Sequence, residues 1–137
     1  MTHRWNKRLS VAMVTALILS TPLWAHHGTN ISYDHAHPMT VKAVVTEFRF
    51  ANPHAQIYLD VTDEKGNVVH WSGELTNPSN LMHAGWTKKR SERELPPGTP
   101  LTITMAPAKA GTKAGVVLKI INQKGEQVLL GRAQQVE

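Results

Sequence analysis

From Val41 onward, apolar side chains fall mostly at every second position, the period of a strand with one buried face. Val41–Phe50 is rich in Val, Thr and Phe, residues that suit a pleated, half-buried surface, and Asn52-Pro53 ends it with a turn signal. In 55–61, Ala55, Ile57, Leu59 and Val61 alternate with Gln56, Tyr58 and Asp60. Asp63–Asn67 is a polar turn with Gly66 available for positive φ. Val68–Leu75 then carries Val69, Trp71 and Leu75 on one face, so the two runs form a hairpin. A turn centred on Lys65 sets Asp60 opposite His70.

One segment breaks the alternation. Asn77 suits a helix cap, Pro78 the first helical position, and Leu81–Ala84 makes a short turn ended by Gly85. Leu95-Pro96-Pro97-Gly98 closes the loop that follows. Leu101, Ile103 and Met105 alternate again, Val116–Ile121 is apolar on both faces apart from Lys119, and Gln127–Leu130 is a last strand. Three strands, a short helix, then two or three strands is the element order of an OB-type barrel. The expected fold is all-β: a small closed or partly closed OB-like barrel of five to six strands with one short helix. Closure relieves the edge-strand problem in so short a chain.

The first residues follow a different rule. Arg4, Lys7 and Arg8 precede the apolar run Leu9–Leu19, and Ser20-Thr21-Pro22 breaks it before Leu23-Trp24-Ala25. That is the charged, apolar, small-residue order of a secretory signal peptide, too short for a membrane span of about 20 residues. Cleavage is expected after Ala25. The chain then divides into a signal peptide (1–25), a His-rich extended arm (26–38) and the barrel domain (39–137). It is expected in the periplasm, with no stable membrane span after cleavage.

Export changes the charge. Without Arg4, Lys7 and Arg8 the basic residues fall from 15 to 12 against 10 acids, and the net charge from +5 to +2. Lys88-Lys89-Arg90 is followed at once by Glu92 and Glu94, which reads as a solvated loop or helix face. Lacking a basic stripe beside stacking aromatics, the chain is not expected to bind nucleic acid. The absence of cysteine excludes disulfides, thiolate metal sites and cysteine nucleophiles.

Histidine carries the candidate chemistry. Cleavage after Ala25 would give His26 a free α-amine and an imidazole on one residue. A third nitrogen from the fold would complete a histidine brace, tetragonal nitrogen coordination that favours Cu(II). His27 offers a competing mode through the amine, the intervening amide nitrogen and its own ring. His35, His37 and Met39 share one side if the arm is extended, and the Met39 thioether would tolerate Cu(I) as well. His54, at the mouth of the second strand, is the candidate for an ordered third ligand, although a turn histidine bonded to backbone explains it equally. His83 has the weakest claim, and Asp60 beside His70 is either an orienting partner or a plain cross-strand contact. Glu47 and Glu74 read as isolated carboxylates, and Trp71 and Trp86 as core or barrel-cap residues.

These pieces together carry a resemblance. His26-His27-Gly28, Tyr33-Asp34, Asn52-Pro53-His54, Trp71, Glu74, Asn77-Pro78, Gly85-Trp86-Thr87, Pro97-Gly98 and Pro107-Ala108-Lys109 are similar to an uncharacterised family of short bacterial exported proteins. The resemblance implies a periplasmic β-rich domain and supplies no activity. Two features depart from the family pattern: Ala43 stands where Gly is usual, with an expected effect on a local bulge, and the His35, His37 and Met39 set is extra. The leading expectation is a periplasmic copper-binding protein, a carrier, buffer or accessory factor, with the metal ion and another periplasmic protein as partners. The rival is a metal-free binding or assembly module whose face near His54, Tyr58 and Trp86 meets a protein or small ligand.

Overall fold

The computed structural model describes residues 32–130. The elements follow in the order β1 (Met39–Arg49), β2 (Gln56–Thr62), β3 (Val68–Glu74), α1 (Pro78–His83), α2 (Lys88–Glu94), β4 (Pro100–Pro107), β5 (Ala114–Asn122) and β6 (Gln127–Leu130). Strands β3, β2, β1, β4 and β5 pair antiparallel in that spatial order, and a parallel β3–β5 pairing shuts the ring. The result is the expected OB-like barrel of five strands, with β6 added on β5.

Alternation decides which side chains enter. Ala55, Ile57, Leu59 and Val61 are buried, whereas Gln56, Tyr58 and Asp60 face outward and are half-buried. The β2–β3 hairpin has the expected register, Asp60 opposite His70, with Gly66 at φ 84° in the turn. Strand β5 pairs with β4 along one edge and with both β3 and β6 along the other, and the successive residues Val116 and Val117, on opposite faces, are both buried. The β1 bulge falls between Val45 and Glu47; Ala43 is buried and paired with Leu101, away from it.

Closure needs close strand approach, and two glycines permit it. Gly73 and Gly115 are register partners in the β3–β5 pair. A Cβ on Gly73 would lie 2.6 Å from Val117 Cγ2 and 2.9 Å from Ile57 Cγ2; one on Gly115 would lie 2.8 Å from the Ala106 carbonyl oxygen.

The sequence predicts one helix, and the described residues hold two. Helix α1 is the expected one: the Asn77 side chain accepts from Asn80 N, Pro78 begins it, and Gly85 follows at φ 79°. Helix α2 is the charged run Lys88–Glu94, with Thr87 capping and Ser91 its buried residue. With no apolar stripe its periodicity cannot be read. Its ion pairs include Lys88–Glu92 at 4.0 Å and Arg90–Glu94 at 2.9 Å, both i,i+4. Leu81 within α1, Trp86 between the helices and Leu95 after α2 complete the core. No helix among the described residues is long and apolar enough to cross a membrane.

Candidate functional site

The start of β2 and the end of β3 lie together, since Gln56 pairs with Glu74. His54 sits two residues before Gln56, after the cis Asn52–Pro53 peptide. Its neighbour Ala55 is held in place by backbone: Ala55 N donates to Thr76 O, and Leu75 N donates to Ala55 O. His54 Nδ1 therefore comes 3.8 Å from Glu74 Oε1.

Nδ1 is buried and has no hydrogen-bond partner, although the side chain as a whole is 37% exposed. A buried polar nitrogen left unpaired costs about 1–3 kcal/mol, so such an atom needs a reason. The turn-histidine alternative, with a ring nitrogen bonded to backbone, is not seen at Nδ1.

The third member comes from the arm. Lys109 N donates to Ser32 O, Asp34 N donates to Pro107 O, and Tyr33 bridges Ala108. This pairing sets the Tyr33 hydroxyl 3.0 Å from Glu74 Oε2, to which it donates. Burial first, then the Glu74 charge and the hydrogen bond to it, push the Tyr33 pKa up to about 12.

That shift has a measurable sign. Because folding raises the Tyr33 pKa above its ordinary 10, its contribution to stability is complete below about pH 10 and disappears as pH approaches about 12. The chain has two tyrosines. Subtracting the tyrosinate absorbance titration of Tyr33→Phe from that of the unaltered protein is expected to leave one transition near pH 12. A difference transition near 10 would show that the hydroxyl does not reach Glu74 in solution.

His26 and His27 lie outside the described residues. Residues 35–37 are not extended as expected: they form a turn, because the Asp34 carboxylate accepts the N–H groups of Ala36 and His37. The alternation that would align His35, His37 and Met39 therefore does not apply. His37 Nδ1 instead meets Asp34 Oδ2 at 2.9 Å, and this bond is the main cause holding the Asp34 carboxyl below its usual range. Met39 begins β1, paired with Met105. His70 pairs with Asp60 as the register predicts, and His83 is exposed on the last turn of α1. Among the described residues no three His, Asp or Glu side chains are grouped to hold a metal ion.

Glu74 is the residue that sequence reasoning missed. It looks isolated along the chain because its partners are 20 and 41 residues away. Trp86 is the residue misplaced for surface contact: it is 1% exposed, its indole N–H donates to Ser91 Oγ at 2.7 Å, and Arg90 lies over its ring. Trp86 therefore presents no exposed ring at the surface, in keeping with the core position expected for it. A groove of about 760 Å³, lined in part by Lys42, Val44, Asp60, Leu101, Ile121 and Asn122, shares no lining residue with the His54 cluster.

Residues 14–119 match a family of unknown function, DUF6152. No curated protein and no solved structure matches the chain.

Proposed function

The chain belongs to DUF6152, and from its site we propose that it is an exported, periplasmic copper-binding protein, a carrier, buffer or accessory factor. Signal peptidase removes residues 1–25, and the α-amine and ring of His26 together with the His54 imidazole hold Cu(II). This is the nitrogen-rich donor set that copper favours among divalent ions. His27 supplies the competing mode. A second periplasmic protein would deliver or receive the ion.

One observation carries this reading. The unpaired, buried Nδ1 of His54 faces Glu74 at the place where the arm joins the barrel through Tyr33. Histidines that bind metal through one ring nitrogen commonly direct the other toward a carboxylate, and His54 is disposed in that way. Tyr33 lies seven residues after His26. A chain of that length spans at most ~25 Å at ~3.3–3.6 Å per residue, which bounds how far the new amino terminus lies from Tyr33.

The test begins with the mass of the exported protein, which is expected to start at His26, and continues with metal analysis of that sample. Placing one extra residue before His26 is expected to weaken Cu(II) binding at least tenfold, as is His54→Ala. Material that begins at another residue, or that binds copper equally well with the extension, removes the proposal.

A further inference from the structure

We infer that Glu74, held by the Tyr33 hydroxyl, selects the tautomer of His54, keeping the proton on Nδ1 and leaving Nε2 as the free, ligand-ready nitrogen. The inference deepens the copper reading and rests on it for the use to which Nε2 is put. Glu74 and Tyr33 are positioning residues here; neither is offered as a ligand.

The geometry allows few choices. His54 Nδ1 is shielded from water and has no protein partner other than the Glu74 carboxylate, 3.8 Å away. A neutral imidazole presents either an N–H or a lone pair at that position. An ionised carboxylate only accepts, so a lone pair there would face negative oxygen, whereas an N–H is attracted to it. The 3.8 Å separation exceeds the ~2.7–3.2 Å of an N–H···O bond, so a small rotation of the half-exposed ring completes the contact.

Tyr33 determines how Glu74 meets the ring. Its hydroxyl donates to Oε2 at 3.0 Å, which leaves Oε1 directed at His54. The pairing of residues 32–34 with 107–109 fixes the tyrosine. The same residue that docks the arm on the barrel therefore sets the ring that the arm's amino terminus is proposed to meet. Arm and imidazole are prepared by one hydrogen bond.

Glu74→Gln separates charge from shape. With the amide oxygen accepting from Tyr33, the NH₂ group turns to His54 Nδ1, which must then accept, and the ring proton moves to Nε2. Nitrogen-15 NMR of the imidazoles, at a pH well above the ordinary histidine pKa of about 6.5, reads this directly in the metal-free full chain. In the unaltered protein His54 is expected as the Nδ1–H tautomer; Glu74→Gln is expected to convert it to Nε2–H and to weaken Cu(II) binding about 10–100-fold. Glu74→Asp, which keeps an acceptor, should retain the Nδ1–H form. Tyr33→Phe, which leaves the carboxylate but frees it, should give a mixture of tautomers and a smaller loss of affinity.

An Nε2–H tautomer in the unaltered protein, or nitrogen shifts that ignore both Glu74→Gln and Tyr33→Phe, would overturn the inference. His54→Ala tests the copper reading separately. If it leaves Cu(II) affinity unchanged, the metal proposal fails, while the tautomer assignment stands or falls on the nitrogen shifts alone.

Discussion

Replacing Trp86 with alanine is expected to lower the unfolding free energy by about 3–5 kcal/mol, the usual cost of deleting a large buried aromatic. The ring is 1% exposed and packs 6.3 Å, centroid to centroid, from Phe48 on β1. It thereby ties the loop between the helices to the barrel wall. Its N–H donates to Ser91 Oγ at 2.7 Å, and Ser91 Oγ in turn donates to Thr87 O at 3.2 Å. Truncation leaves a cavity and deprives the buried Ser91 of its donor. The Arg90 guanidinium, 4.5 Å above the ring, loses its aromatic face as well. Since domains of this size are stable by only about 5–15 kcal/mol, the variant should sit near the edge of folding. Trp86→Phe restores much of the apolar volume and is expected to recover over half of the loss. Urea midpoints measure both, and an alanine variant within about 1 kcal/mol of the parent would show that the ring is not part of the core in solution.

A methyl group at the barrel seam should be nearly as damaging. Gly73→Ala is expected to cost about 1–3 kcal/mol, the range for forcing extra volume into a packed interior, and Gly73→Val more. The added Cβ meets Val117 Cγ2 at 2.6 Å and Ile57 Cγ2 at 2.9 Å, and both residues are fully enclosed, so neither can swing into solvent. Relief must come from parting β3 and β5. The seam between them is short, three register pairs from Ser72–Ala114 to Glu74–Val116, supported by Ser72 N donating to Lys113 O. Hydrogen exchange distinguishes a local opening from global loss. The Ser72 amide should lose protection first, while amides of the β1–β4 pair stay slow. Unchanged protection at Ser72 would mean that the core, not the seam, absorbs the strain.

Most of the barrel is legible in the chain because its physics is local. Period-two burial over Ala55–Val61 and the polar Asp63–Asn67 turn fix the hairpin register down to the Asp60–His70 pair. The doubly apolar β5 is legible for the same reason. Helix α2 is not, since a helix whose buried side is a serine leaves no apolar period to read. The site divides along the same line. His54 stands out as a histidine beside a turn at a strand entrance. Glu74 does not, because its meaning depends on a hydrogen bond from a tyrosine 41 residues earlier, brought over by the pairing of 32–34 with 107–109. The Asp34 turn shows the reverse failure: an extended arm is a fair expectation for a polar segment until one carboxylate collects two backbone N–H groups.

The β1–β4 pairing bears on how the protein comes into being. Met39 must find Met105, 66 positions later in the chain, and Ala114–Val116 must arrive before β3 has its second neighbour. During synthesis, β1, β2 and β3 emerge as a meander whose outer β1 border stays bare until Pro100 has been made. Contacts so distant along the chain slow folding, and bare strand borders invite pairing with other chains. A polypeptide halted anywhere before residue 114 is thus an open ribbon with two sticky margins rather than a smaller cylinder.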